Sequence, residues 1–328
     1  MKFARWSVLV GTVSLAVGMA HGQTPAPAAS QGFPSRPITV VFPGAAGGEP
    51  DRIARLIGEK LRERLGQPVV NDNRPGAGGN IGAEFVAKAP ADGHTLLFTG
   101  VGTLAISKAI YPRLGYDPDT FVPVSTVVAT PLVIVAHNEV PVRSLQELIA
   151  YAGANPDKLN YASAGNGTTT HLAGELFKSM AKVKMVHVPY KGLAPALTDL
   201  MGQRVELMFM DIGSALPHIR GGKVRALAVT SAERSPLLPD VPAAAEAVPG
   251  YSAAFAFTIV APAKTPAAIV ERLSSTIAEG MKQPEVVKTL LESGTVVVGS
   301  TPAQAAATLA QERERMGAIV RALGIKIE

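Results

Sequence analysis

Residues that could do chemistry in this chain cluster in three loops, and the first is "PGAAGGEPD", Pro43 to Asp51. Gly47 and Gly48 let backbone N–H groups approach an anion closely. Pro50 suits a first helical turn, and Asp51 suits the positive end of a helix dipole. Glu49 has the wrong charge for an anion loop, so either it faces a ligand's cationic end or it faces solvent. A plain glycine turn with an acidic cap is the alternative for the whole segment. The second loop, "ASAGNGTTTHLAGE" (Ala162 to Glu175), passes two glycines and then offers the hydroxyls of Thr168, Thr169 and Thr170 at a helix start. Donors of this kind make an anion site, or they simply cap the helix. In the third, "MDIGSALPHIRGG", Asp211 either caps a helix or meets a ligand.

Other chemistries find little footing. The chain contains no GxSxG elbow and no Walker lysine, and "GAGGNIG" (Gly76–Gly82) matches no dinucleotide fingerprint. His171 and Glu175 are spaced i, i+4, but a zinc helix of that type needs two histidines. With no cysteine, disulfides and thiolate metal sites are excluded. No catalytic residues, no metal and no cofactor are expected.

The elements that must position these loops alternate. Ile38–Phe42 is an apolar, β-branched run of the buried-strand type. Ile53, Leu56, Ile57, Leu61 and Leu65 share one helical face that ends at Gly66. "QPVVNDN" and "HTLLFTG" read as strands around a helix at Ile81–Ala89. Two further apolar runs follow, "FVPVSTVVA" and "PLVIVAH". A second strand–helix series then runs from Ser144 to "VRALAVT", and "AFAFTIVAP" precedes three helices. Two α/β units around a cleft fit this order, and so does a single doubly wound domain.

The 328 residues are 47% hydrophobic and 17% charged, enough apolar content for a sizeable core. Lys2 and Arg5 precede an apolar stretch from Trp6 to Ala20 and small residues, the order of a secretory signal peptide. The stretch is short of the roughly 20 residues of a membrane span. "QTPAPAASQGFPSRP" reads as a linker. The net charge of +5 falls to +3 without the leader, with no basic run interleaved with aromatics, so nucleic acid is not an expected partner.

The strings "GQPVVNDNRPGAGGNIGAEFVAKAPADGHTLL", "NYASAGNGTTTHLAGELF" and "VPYKGLAPALTDLMGQRVELMF" resemble the substrate-binding receptors of tripartite tricarboxylate transporters, the Bug-type receptors. The likeness covers essentially the whole mature chain. It implies a type II periplasmic binding-protein fold, with two α/β domains hinged around a central ligand cleft. The implied organisation is a signal peptide over 1–22 and a linker over 23–36. Domain 1 then takes 37–132 and 253–328, and domain 2 takes 133–252, with the crossings near Thr130–Ala136 and Tyr251–Phe257. The implied ligand is a small carboxylate, held partly through water. By position, its contacts are Ala45, Ala46, Gly47, Gly48 and Thr103 from one lobe, and Ser163, Gly167, Thr168, Thr169 and Asp211 from the other. The receptor would be a periplasmic monomer that delivers its ligand to membrane permease subunits, or presents it to a membrane sensor; an exported enzyme on the same fold is the remaining alternative. The first loop departs from the family pattern: Gly44 stands where an aromatic usually follows the proline, and Glu49 and Pro50 replace small hydroxyl residues. With Glu49 turned inward, the expected ligand would carry a cationic or N–H-donor end.

Overall fold

The computed structural model describes residues 32–100 and 102–323, so the leader and most of the linker lie outside the described residues. Strand β1 (Ile38–Phe42) pairs in parallel with β2 (Val69–Asn73) and β3 (Thr95–Gly100). Helix α1 (Glu49–Leu65) begins earlier than the apolar spacing alone marks, with Pro50 in its first turn. It buries Ile53, Ala54, Ile57 and Leu61, and Gly66 closes it in the left-handed conformation, its N–H donating to the Arg62 carbonyl. Helix α2 (Asn80–Ala87) follows β2, and a turn at Gly102–Ile106 leads from β3 into the single-turn α3 (Ser107–Ile110).

The two apolar runs that follow belong to one strand, β4 (Val122–His137). Up to Pro131 it pairs with β9 (Ala254–Ala261), and from Leu132 with β7 (Leu207–Asp211) and β8 (Val224–Val229). A proline interrupts a ladder because it has no N–H to donate. Pro131 is tolerated because it sits where the strand leaves one set of partners for the other. The second lobe adds α4 (Leu145–Ala154), β5 (Asn160–Ser163), α5 (Thr169–Ala181), β6 (Val186–Pro189), α6 (Leu193–Met201) and α7 (Ile212–Arg220). There β5 runs parallel to both β6 and β7.

The chain then returns through β9 to the first lobe, which adds α8 (Ala267–Met281), α9 (Pro284–Glu292) and the short β10 (Val296–Val297) against β4. The last helix, α10 (Pro302–Leu323), belongs to both lobes by packing. Leu309 lies in a first-lobe cluster with Val41, Val86 and Leu97, whereas Met316 and Val320 join the second-lobe core around Phe177 and Tyr251. The architecture is a two-lobed α/β fold in which one long strand and one long helix span both halves.

Candidate functional site

The carboxyl ends of β1, β3 and β5 and the start of α5 converge on a cleft of about 340 Å³ between the lobes, the place where open α/β sheets take ligands. The first wall is the loop after β1. Asp51 ties this loop in place: its carboxylate accepts the Gly47 N–H at 3.0 Å, the Asn73 amide at 2.8 Å and the Arg55 guanidinium at 3.1 Å. Burial works against that charge, but the Gly47 N–H, Asn73 and Arg55 together hold the Asp51 pKa below the usual carboxylate range. Asn73 also donates to the Gly44 carbonyl at 3.2 Å. Gly47 adopts φ +96°, and its N–H is spent on Asp51 rather than on a ligand. Ala45 and Gly48 line the cleft, while Ala46 and Gly47 are exposed outside it.

Glu49 does not face the cleft. Its carboxylate is buried on the other side of the loop, where Arg52 grips it at 2.7 and 2.8 Å and the Ser293 hydroxyl donates at 2.6 Å. Its backbone N–H donates across the lobes to Ser214 Oγ at 3.0 Å. The inward orientation weighed from the sequence is therefore not adopted, and neither is the solvent-facing one. An arginine three residues further along the helix supplies the missing countercharge.

The opposite wall is the start of α5. No side chain caps this helix, which leaves its first-turn N–H groups without a capping acceptor, and Thr168, Thr169 and Thr170 at its start line the cleft. The threonine hydroxyls are engaged in shaping the loop. Thr168 Oγ1 donates to the Gly165 carbonyl at 2.7 Å and pairs with Thr170 Oγ1 at 3.0 Å, and Thr170 Oγ1 accepts the Ala164 N–H at 2.9 Å. Ser163 lies beneath, fully buried, and its hydroxyl pairs with His187 Nε2 at 2.6 Å while accepting the Gly165 N–H at 3.1 Å. It supports the loop and does not line the cleft. The Gly167 N–H is likewise consumed by His171 Nδ1 at 3.0 Å. The His171 and His187 rings stack at 4.0 Å, and burial pushes their pKa values down to about 4 and about 3, so both are neutral packing groups. Thr103 does reach the cleft; its Oγ1 bridges Thr99 Oγ1 at 3.0 Å and the Gly78 carbonyl at 3.4 Å.

Asp211 is absent from the cleft too. It caps α7, Oδ1 accepting the Ser214 N–H at 2.7 Å, while the buried Oδ2 has no partner. Burial, aided by the nearby Glu49 charge, pushes its pKa up from 3.8 to about 6. Folding thus favours the protonated acid. The resulting stability is full below the unfolded value of 3.8 and is lost as pH rises through about 6. Asp211→Asn keeps the capping acceptor without the charge. It is expected to melt higher than wild type at neutral pH, by roughly 2–3 kcal/mol of stability. The difference should close as pH approaches the unfolded value, and thermal melts across that range check it; a gap that ignores pH overturns the assignment.

Two walls were not read from spacing. Gly76–Gly79, where all four residues have positive φ, lines the first-lobe side, and Tyr190–Leu193 lines the second. Their signal was the glycine of "GAGG" and "YKG", which appear above as a rejected dinucleotide fingerprint and within the family strings, not as cleft walls. The lobes meet closely at these loops. A Cβ on Gly78 would overlap the Asn166 carbonyl oxygen, and one on Gly102 would overlap that of Gly167. The Tyr111 hydroxyl also donates to the Asn166 carbonyl at 3.0 Å. Among the described residues no group of three or more acidic or histidine side chains is arranged to hold a metal ion.

A two-lobed α/β fold closed over a cleft lined by glycine loops and an uncapped helix start defines the class of solute-binding proteins. The chain belongs to the tripartite tricarboxylate transporter family receptors, whose sequence profile matches residues 53–325. It is 44% identical over 286 residues to the "UPF0065 protein in tcbD-tcbE intergenic region" of Pseudomonas sp. (strain P51), covering 86% of this chain and 85% of that one. Among solved structures it is similar to R. palustris Rpa4515 with adipate, at 40% identity and TM-score 0.86, covering 90% of this chain and 99% of that one. It is also similar to the periplasmic binding protein BugD, at 34% identity and TM-score 0.86, covering 90% of this chain and all of that one.

Proposed function

We propose that this protein is a periplasmic receptor that closes two lobes on a small carboxylate and delivers it to a tripartite tricarboxylate-type permease. The observation that carries the reading is the uncapped start of α5, open to the cleft and faced by the loop after β1. One helix end contributes only about 0.3–1 kcal/mol when exposed, so the surrounding backbone donors and the exclusion of water must supply the rest. Adipate in the related R. palustris protein supports a carboxylate as the ligand class. The ligand contacts we propose are Ala45, Gly48, Thr103, Thr168 and Thr169, which line the cleft. Closure would turn about β4 at Pro131–Leu132 and about the return crossing at Ala253, whose N–H donates to the Thr230 carbonyl at 2.8 Å. The division into domains at these two crossings belongs to the same proposal.

Mass spectrometry of ligand released from the purified protein tests the reading, and a released compound without a carboxylate overturns it. Thr168→Ala removes the hydroxyl that braces the α5 loop. Carboxylate affinity should fall about three- to tenfold with little change in melting temperature. Calorimetry that finds wild-type affinity in this variant would remove Thr168 from the site.

A further inference from the structure

The cleft's side chains narrow the ligand class, on the assumption that the carboxylate reading above holds. Lys191 is the only charged side chain among the described residues that line it, and Lys191 is itself exposed. A buried carboxylate needs a cation or several converging donors. One uncapped helix start can satisfy one such group, and a second or third would have only exposed Lys191 and scattered backbone donors, with no buried cation among the lining residues. Glu49, which from sequence would have called for a cationic ligand end, is neutralised by Arg52 behind the loop.

Beside the threonines and Asn166, the rest of the lining is largely apolar and aromatic. Phe42, at the end of β1, and Phe257, in β9, both line the cleft. Phe98 joins them from below, its ring centre 6.2 Å from that of Phe42 and stacked 5.5 Å from that of Phe257. Gly44 makes room for this arrangement, since a Cβ there would stand 2.6 Å from two atoms of the Phe42 ring. The aromatic missing at position 44 is thus replaced by one two residues earlier, turned onto the cleft floor. Leu193 and four prolines, Pro43, Pro50, Pro75 and Pro189, add further apolar wall. Rings favour offset or edge contacts with another ring, worth about 0.5–1.5 kcal/mol beyond the area buried.

We infer that the cleft selects a carboxylate with an aromatic body, one carboxyl group at the start of α5 and its ring against Phe42 and Phe257, over aliphatic di- and tricarboxylates. Phe42 is the specificity-determining residue.

Calorimetry of the purified protein with benzoate, phenylacetate, adipate and citrate tests this. An arene carboxylate should bind tightest in wild type. Phe42→Ala and the better-packed Phe42→Leu should each weaken it about tenfold, and adipate by less than about twofold. Melting temperatures without ligand confirm that both variants fold. Tighter adipate or citrate binding in wild type, or unchanged arene binding in Phe42→Leu, overturns the inference. An aliphatic di- or tricarboxylate recovered from the native protein also overturns it while leaving the carboxylate reading intact. A released ligand with no carboxylate removes both.

Discussion

Gly102→Ala is expected to weaken carboxylate binding about 10- to 100-fold while leaving the unliganded fold intact. Gly102 follows β3 on the first lobe, and its Cα faces the Gly167 carbonyl oxygen of the second lobe across the closed seam. Its backbone does not adopt a positive φ, so alanine brings no conformational strain of its own. The three atoms nearest the added methyl all belong to the opposite lobe, so opening the lobes would relieve the overlap. Overpacking of this sort costs about 1–3 kcal/mol, all of it charged to the closed state. A ligand that needs the closed state then pays that difference in apparent affinity. Calorimetry should show the loss, and small-angle scattering with saturating ligand should show a larger radius of gyration than wild type. Gly153→Ala in α4, where an added Cβ meets nothing within 4 Å, is the matched control. Equal affinity in Gly102→Ala and Gly153→Ala would show that closure at this seam is not required.

Gly48→Glu should be more damaging still, with a loss of about 100-fold or more. Gly48 lines the cleft just ahead of α1 in an extended conformation (φ −87°), which any residue can adopt. A side chain there starts 3.6 Å from Leu193 of the opposite lobe, so a glutamate reaches into the mouth of the cleft. It has no counterpart to the arrangement at Glu49, whose charge is gripped by Arg52. Two like charges about 4 Å apart repel by roughly 4 kcal/mol at an effective dielectric constant of about 20. Gly48→Gln separates size from charge: it should lose less affinity than Gly48→Glu. Added salt should narrow the difference between them. If glutamine and glutamate weaken binding equally and independently of salt, the ligand at this end carries no negative charge.

Much of the fold was legible because its signals are local. The β-branched run at Ile38–Phe42, the helical face through Ile53 and Leu61, and Gly66 as a stop depend on neighbours a few residues away, and they appear where expected. The union of two apolar runs into β4 was not legible. A proline between them reads as a break, and only the exchange of sheet partners at that position makes it harmless. Packing of α10 against both lobes was equally hidden, because an amphipathic stripe does not say which core it meets.

The site divides in the same way. The glycine loop after β1 and the threonines that open α5 could be picked out by residue type, because backbone donors at a strand–helix turn have one chemistry wherever they face. Ser163, Gly167, Asp211 and Glu49 could not be sorted, since an acid, a hydroxyl or a backbone N–H near such a turn serves equally as ligand contact or as brace. His187 takes Ser163, His171 takes Gly167, Ser214 takes Asp211, and Arg52 takes Glu49. Arg52, Ser214 and His171 lie only three or four residues beyond the groups they engage, yet spacing does not say whether the loop turns back to make the pairing; His187 lies 24 residues from Ser163. By itself, then, the sequence determined the order of strands and helices, the family, and two loops suited to an anion. The tertiary structure alone decided which polar groups remain free for a ligand, and that Phe42 rather than Glu49 shapes the cleft. The reason is physical: backbone propensity is set by adjacent residues, whereas the direction and pairing of a side chain are set by how its loop turns and by which groups, near or far along the chain, folding brings against it.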